Sequence, residues 1–284
     1  MANNNTETKG YAPFDLYPYN PSQGPAFAFL GFFGVLCLLH LVAMIPYRSF
    51  FPLPLVIGCG MEASAYWFRS QSHNDVRKTL PFVLQNLLLL SAPPFLAASI
   101  YMSPRRIARV LKTEHLTIRP RVLTKLFVLV DTICLGTQFA GSIMSGSENA
   151  DEASHGRIIV LAGLTLQIAA FGFFAVWTSC FQKRLASASF PYPLSSELPW
   201  QRYIYGLYAI SVLFIVRNIT RIIEFQQGSN GEILAHEAYL YALDSSVMLA
   251  IVTIFLILHP GRLRWMARRL GKSLALGEEH IPLA

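Results

Sequence analysis

The chain has 284 residues, 53% of them hydrophobic and only 14% charged, with a formal net charge of +7 and a mean hydropathy of +0.42. Soluble domains carry about 25% charged residues, so this composition argues against a soluble domain and for a polytopic membrane protein. Cys37, Cys59, Cys134 and Cys180 all fall in apolar segments with no CxxC spacing. A disulfide framework and a thiolate metal site are therefore not expected.

Taken in order, residues 1–24 are polar and Pro-rich, with no apolar core behind a basic start, and read as an extracellular segment rather than a cleavable signal peptide. Seven apolar stretches follow, at 25–45, 53–68, 80–102, 122–144, 158–181, 203–225 and 236–258. A bilayer core takes about 20 apolar residues per helix, so the second stretch is short and must lean on its flanks. Pro93 and Pro94 are expected to kink the third helix. The fold expected is an all-α seven-transmembrane helix bundle over 25–259, followed by a basic tail over 260–284.

Lys and Arg set the orientation. Arg48, the 105–125 cluster, Lys183, Arg184, Arg202 and the Arg262–Lys272 tail fall on one side, against Lys9, Arg69, Arg77, Lys78 and Arg157 on the other. This predicts the N-terminus outside and the C-terminus cytoplasmic. The positive charge thus faces the anionic cytoplasmic leaflet, and no nucleic-acid partner is expected. Residues 261–274 alternate Arg and Lys with Leu263, Trp265, Met266, Leu270 and Leu274, the pattern of a short interfacial helix. Asn4-Asn5-Thr6 is a glycosylation sequon on the outer side.

Charge inside the spans carries the functional argument. Arg217, Arg221 and Glu224 are spaced i, i+4, i+7 and share one helix face, and Glu237, Tyr241 and Asp244 repeat that spacing beyond a short link. Helix rise places Arg217 and Asp244 both about 12 Å below the outer surface, and Glu62 about 10 Å below it. Arg217 and Asp244 form a depth-matched pair, Glu62 is a third member, and Arg221, Glu224 and Glu237 form a shallower ring. Gln138 and Gln167 are neutral polar groups on the fourth and fifth spans, while Asp131 lies deeper on the fourth. Gly136, Gly141 and Gly163 allow close helix approach.

Ionisable residues in a span usually face the bundle interior and pair. Two readings stay open: ion pairs that fix helix register, or a hydrophilic pocket for a polar ligand group. The carboxylates Glu62, Asp131, Glu224, Glu237 and Asp244 outnumber Arg69, Arg217 and Arg221. The excess suits a cationic head such as an amine, or a protonated acid. His40 and His259 sit near the cytoplasmic ends of their spans, within possible approach of Asp131, but define no three-ligand metal constellation.

Motifs across the chain add to this reading. They are Tyr19-Asn-Pro-Ser22; Gly58-x3-Glu62-x3-Tyr66-x2-Arg69; and Ala92-Pro-Pro-Phe-Leu-Ala-Ala-Ser-Ile-Tyr101. Asp131-x6-Gln138-x2-Gly141, Gly163-x3-Gln167, Arg217-x3-Arg221-x2-Glu224-Phe-x2-Gly228, Glu237-x3-Tyr241-x2-Asp244 and His259-Pro260 follow. Together they resemble the fungal lipid-translocating exporter family, the RTA-like proteins associated with aminocholesterol resistance and sphingoid-base export. Ala65 departs from the pattern, standing where a Gly is expected before Tyr66. The resemblance implies a multi-pass plasma-membrane protein that moves or senses amphipathic lipids, with membrane lipids and cationic amphiphiles as partners, no cofactor and no catalysis. Glu62, Arg69, Asp131, Gln138, Gln167, Arg217, Arg221, Glu224, Glu237, Tyr241 and Asp244 are the expected substrate-binding or translocation residues. The alternative is a seven-helix receptor-like lipid or stress sensor; no Asp-Arg-Tyr follows the third span, and the seventh has no Lys for a Schiff base.

Overall fold

A computed structural model describes residues 11–12, 15–47, 50–111, 120–145, 149–187, 198–228 and 231–278, with the side chains of 120, 121, 150 and 271–278 excepted. The Asn4 sequon, Lys9, Arg48, Lys112, Arg119 and the acidic end beyond residue 278 lie outside the described residues. The helices are α1 (Gln23–Tyr47), α2 (Leu53–Ser72), α3 (Thr79–Val110), α4 (Pro120–Ser145), α5 (Ala150–Ser187) and α6 (Trp200–Gln227). A single turn at Glu232–Ala235 leads into α7, built from Glu237–Tyr239, a π-helical stretch Leu240–Ser245 and Ser246–Ile257. The tail helix α8 spans Pro260–Glu278. Among the described residues there is no strand, only an isolated bridge between Tyr11 and Lys78.

Six of the seven bundle helices are long and apolar enough to cross a membrane. The seventh, α2, has 20 residues, about 30 Å of helix, and its hydropathy is lowered by Glu62, Arg69 and several small polar residues. It packs against both α1 and α3, with Leu53, Ile57 and Trp67 exposed on its outward face. Leu55, Cys59, Glu62, Tyr66 and Arg69 recur at alternating steps of four and three and are all buried, so one stripe of α2 turns from apolar to polar towards its C-terminal end. The chain is thus a multi-pass helical membrane protein, with Phe27, Phe32, Val35, Leu38 and Val42 of α1 exposed on the surface that faces lipid.

Two features let the helices approach. On α4 and α5 a Cβ at Gly156 would lie 2.6 Å from the Gly141 carbonyl oxygen, and one at Gly163 would lie 2.6 Å from Thr137 Oγ1. These glycines set backbone-to-backbone contact, as small residues do in membrane bundles. On α2, a Cβ at Gly58 would lie 2.9 Å from the Ala92 carbonyl of α3. Helix α3 runs through Pro93 and Pro94 as one element. Proline lacks the N–H that would reach the carbonyl four residues earlier, so the carbonyls of Leu89 and Leu90 lose their helical donors.

The start of α7 differs from the α-helical face expected from Glu237, Tyr241 and Asp244. From Leu240 to Ser245 the backbone is π-helical, a wide turn in which Asp244 and Ser245 are both buried. Such turns are rare and concentrate at functional sites. The tail helix is longer than the 261–274 segment expected. Its Leu263 is fully buried against the bundle, while Arg262, Arg268 and Arg269 are exposed.

Candidate functional site

The charges collect in two layers between α2, α6 and α7. In the inner layer Asp244 is held by two arginines of α6: Arg217 Nε stands 2.7 Å from Oδ1 and Arg221 Nη2 donates to Oδ2 at 2.7 Å. Arg217 and Asp244 are 3% and 6% exposed, so this pair meets the depth match expected from residue counting. The Arg217–Oδ1 contact is an ion pair without hydrogen-bond alignment. Arg217 Nη2 instead donates at 3.0 Å to the Leu89 carbonyl, the group that Pro93 leaves without a helical donor. Arg221 Nη1 also bonds Glu224 at 3.0 Å, one turn along the same helix.

Glu62 completes the inner layer. It is fully buried, within electrostatic range of Asp244, Arg217 and Arg221, and neither carboxyl oxygen has a hydrogen-bond partner among the described residues. Tyr66, one turn further along α2, bonds Ser245 in the π-helical turn. Its ring stacks on Phe33 and Tyr241, with Phe29 stacked on Tyr241 as well, an aromatic floor contributed by α1, α2 and α7.

The outer layer centres on Arg69. Its Nη2 donates to Glu237 Oε1 at 2.8 Å and to the Tyr19 hydroxyl at 2.9 Å, and its Nε to the Tyr241 hydroxyl at 3.0 Å. The guanidinium also lies within 5.4–5.8 Å of the ring centroids of Tyr17, Tyr19 and Tyr241, within cation–π range. Glu237 therefore belongs with Arg69, and not in a ring with Arg221 and Glu224 as its depth had suggested. Its two oxygens also accept the Ser22 N–H, each at 3.0 Å.

That last contact joins the N-terminal segment to the site, which sequence reasoning missed. Tyr17 donates to Gln85 at 2.8 Å and contacts Ser72 Oγ at 3.1 Å; burial raises its phenol, keeping it neutral. His73 Nδ1 meets the Pro21 carbonyl at 2.7 Å, and Arg77 bonds Asp15 at 2.7 Å. Residues 15–22 are thus strapped across the ends of α2, α3 and α7. Tyr19 and Ser22 stood in a recognised motif, but an irregular segment has no periodicity from which to read its partners.

The remaining expected site residues lie elsewhere. Gln138 donates to Gln167 at 2.9 Å, a buried pair across the close α4–α5 contact. Asp131 is buried with both oxygens unpartnered among the described residues, and its polar neighbours are Tyr101 and Cys134. His40 is 3.2 Å from the Val252 carbonyl, and His259 packs on Tyr47 and Phe51, so neither histidine is engaged with Asp131. Among the described residues no three His, Cys, Asp or Glu side chains converge as a metal site.

Fold and geometry define a multi-pass helical membrane protein with a buried, paired charge layer near one end of the bundle. The family model described as RTA1 like protein matches residues 55–266, and the chain belongs to that family. It is 33% identical over 278 residues to Protein RTA1 of Saccharomyces cerevisiae, covering 87% of this chain and 85% of that one. It is 33% identical over 204 residues to Protoporphyrin uptake protein 1 of the same yeast, 72% of this chain and 66% of that one. It is 25% identical over 263 residues to the yeast Sphingoid long-chain base transporter RSB1, 80% of this chain and 69% of the relative. No solved structure matches the chain.

Proposed function

We propose that this protein translocates amphipathic lipids across the plasma membrane, with sphingoid bases, phospholipids or sterol-like toxic compounds as cargo. In this reading it contributes to lipid asymmetry and to drug or stress resistance. The headgroup crosses through the inner layer of Glu62, Arg217, Arg221, Glu224 and Asp244 while the acyl chains stay in lipid. The outer layer of Arg69, Glu237 and Tyr241 is the entrance, and the Tyr17–Ser22 strap covers it. Asp131 and the Gln138–Gln167 pair continue the polar path into α4 and α5. The observation that carries the reading is the inner layer itself: a carboxylate clamped by two arginines beside a second carboxyl group that has no hydrogen-bond partner among the described residues. Polar and ionisable groups buried in a span are costly, and they usually mark a substrate or ion path. Kinship with a relative named as a sphingoid long-chain base transporter supports a lipid cargo, and the basic helix α8 is suited to the anionic cytoplasmic leaflet.

The test is movement of fluorescent sphingoid-base and phospholipid analogues between leaflets of proteoliposomes. Translocation above the protein-free rate supports the reading. Oriented, folded protein that binds these lipids without moving them would replace it with the sensor alternative.

A further inference from the structure

Glu62 is the odd member of the inner layer. Asp244 and Glu224 are matched in number by Arg217 and Arg221, and all four are in contact. Glu62 adds a third carboxyl to two guanidiniums, buried to 0% exposure with no donor to either oxygen among the described residues. An ionised carboxylate in that position has neither a hydrogen bond nor a counter-charge of its own, the costliest arrangement for a charge away from water. With a proton on Glu62 the layer is electrically neutral. Without it, the layer has room for one positive charge.

The groups facing Glu62 narrow what that positive charge is. Arg217 and Arg221 of α6 and Asp244 of α7 act on it directly. Its own helix adds Cys59 and Tyr66, whose hydroxyl is committed to Ser245. The ionisable side chains of α1 are Cys37, which neighbours Cys59, His40, which is bonded to the Val252 carbonyl, and Tyr47, which stacks on His259. On α3, Tyr101 lies beside Asp131 and the arginines stand at the far end of the helix. Neither α1 nor α3 supplies a fixed cation to Glu62.

We propose that Glu62 is a proton-exchange site, protonated when the headgroup site is empty and releasing that proton when a cationic lipid headgroup docks beside it. This rests on the lipid-translocation reading and gives it a substrate class and an energy source: amphipathic amines, exchanged one for one against protons. In the step, the O–H bond of the Glu62 acid breaks and its proton passes to water admitted with the headgroup. The ammonium then occupies the vacated charge position. No electrons change hands and the net charge of the layer is unchanged. A proton gradient across the bilayer thereby drives amine movement, whereas a neutral headgroup displaces no proton.

The experiment uses the purified full-length chain in lightly buffered detergent with a pH indicator. Short-chain N,N,N-trimethylsphingosine is the probe, because its charge is fixed and any proton released comes from the protein. N-acetylsphingosine is the neutral control. The wild type should release about one proton per trimethylsphingosine bound, and none with the neutral analogue. Glu62→Gln should bind the cation more weakly and release none, while Glu62→Asp should restore release. Infrared difference spectra of the wild type should show loss of a protonated-acid C=O band on cation binding, a readout that stands if Glu62→Gln fails to fold. Cation binding without proton release, or equal release by a folded Glu62→Gln, overturns the exchange site and leaves lipid translocation intact. No binding of either sphingosine derivative by folded wild type overturns the sphingoid reading and the exchange site with it.

Discussion

Arg217 on α6 donates to the Leu89 carbonyl on α3 at 3.0 Å, and Leu89 lies four residues before Pro93. A defect in one helix is thus filled by a charge from another. The proline withholds a donor, and the guanidinium supplies it while its Nε faces Asp244. The two roles are coupled and can be separated. Pro93→Ala returns an N–H to the Leu89 carbonyl, so Arg217→Lys should cost less stability in that background than in the wild type. A hydrogen bond to a charged group contributes about 1.5–3 kcal/mol, and a double-mutant cycle of unfolding in detergent should show coupling of about that size. Strict additivity would show that the Leu89 bond does not matter to Arg217.

The strap over the outer layer hangs on Glu237, which accepts the Ser22 N–H and the Arg69 guanidinium together. Glu237→Gln keeps the shape and removes the charge. Amide hydrogen exchange over residues 15–22 should then accelerate about tenfold, corresponding to about 1.4 kcal/mol of local stability. The α4–α5 amides serve as the internal control and should not change.

The contact between α4 and α5 has no room for a side chain at Gly156, where a Cβ would lie 2.5 Å from the Ser145 backbone nitrogen. Gly156→Val should destabilise the detergent-solubilised protein by about 1–3 kcal/mol through overpacking. Gly172, with nothing within 4 Å of an added Cβ, should accept Ala without such a loss.

Orientation is testable at two exposed arginines on opposite ends of the bundle, Arg77 before α3 and Arg268 on α8. In a cysteine-free background, an impermeant maleimide applied to intact cells should label Arg77→Cys, and label Arg268→Cys only after permeabilisation. The reverse pattern would invert the topology drawn from the Lys and Arg distribution.

Much of this arrangement was legible in the sequence, for identifiable reasons. Apolar stretches mark all seven bundle helices, the second as a short one, and α2 is the helix that falls short of the length and hydropathy of the other six. Counting residues inward at a fixed rise paired Arg217 with Asp244, because a helix converts sequence distance into depth. The same count misassigned Glu237, since depth does not say which neighbour a side chain faces and the π-helical turn at Leu240–Ser245 changes the facing. Gln138 and Gln167 were recognisable as intramembrane polar groups, but their pairing is set by the α4–α5 contact at Gly163, where an added Cβ would stand 3.4 Å from Gln138 Cγ. The tyrosine strap left no periodic signal. Pro93 did leave one: its missing donor implies an outside partner for Leu89, and Arg217 is that partner.

Asp244 carries the central claim that a lipid headgroup crosses through the inner layer. The most direct measurement compares translocation of a fluorescent sphingoid-base analogue in proteoliposomes containing wild type or Asp244→Asn, each verified as folded by size-exclusion chromatography and circular dichroism. The account predicts movement by the wild type and only the protein-free rate with Asp244→Asn. Equal translocation by the two proteins would contradict it and return the Arg217–Asp244–Arg221 cluster to holding helices in register.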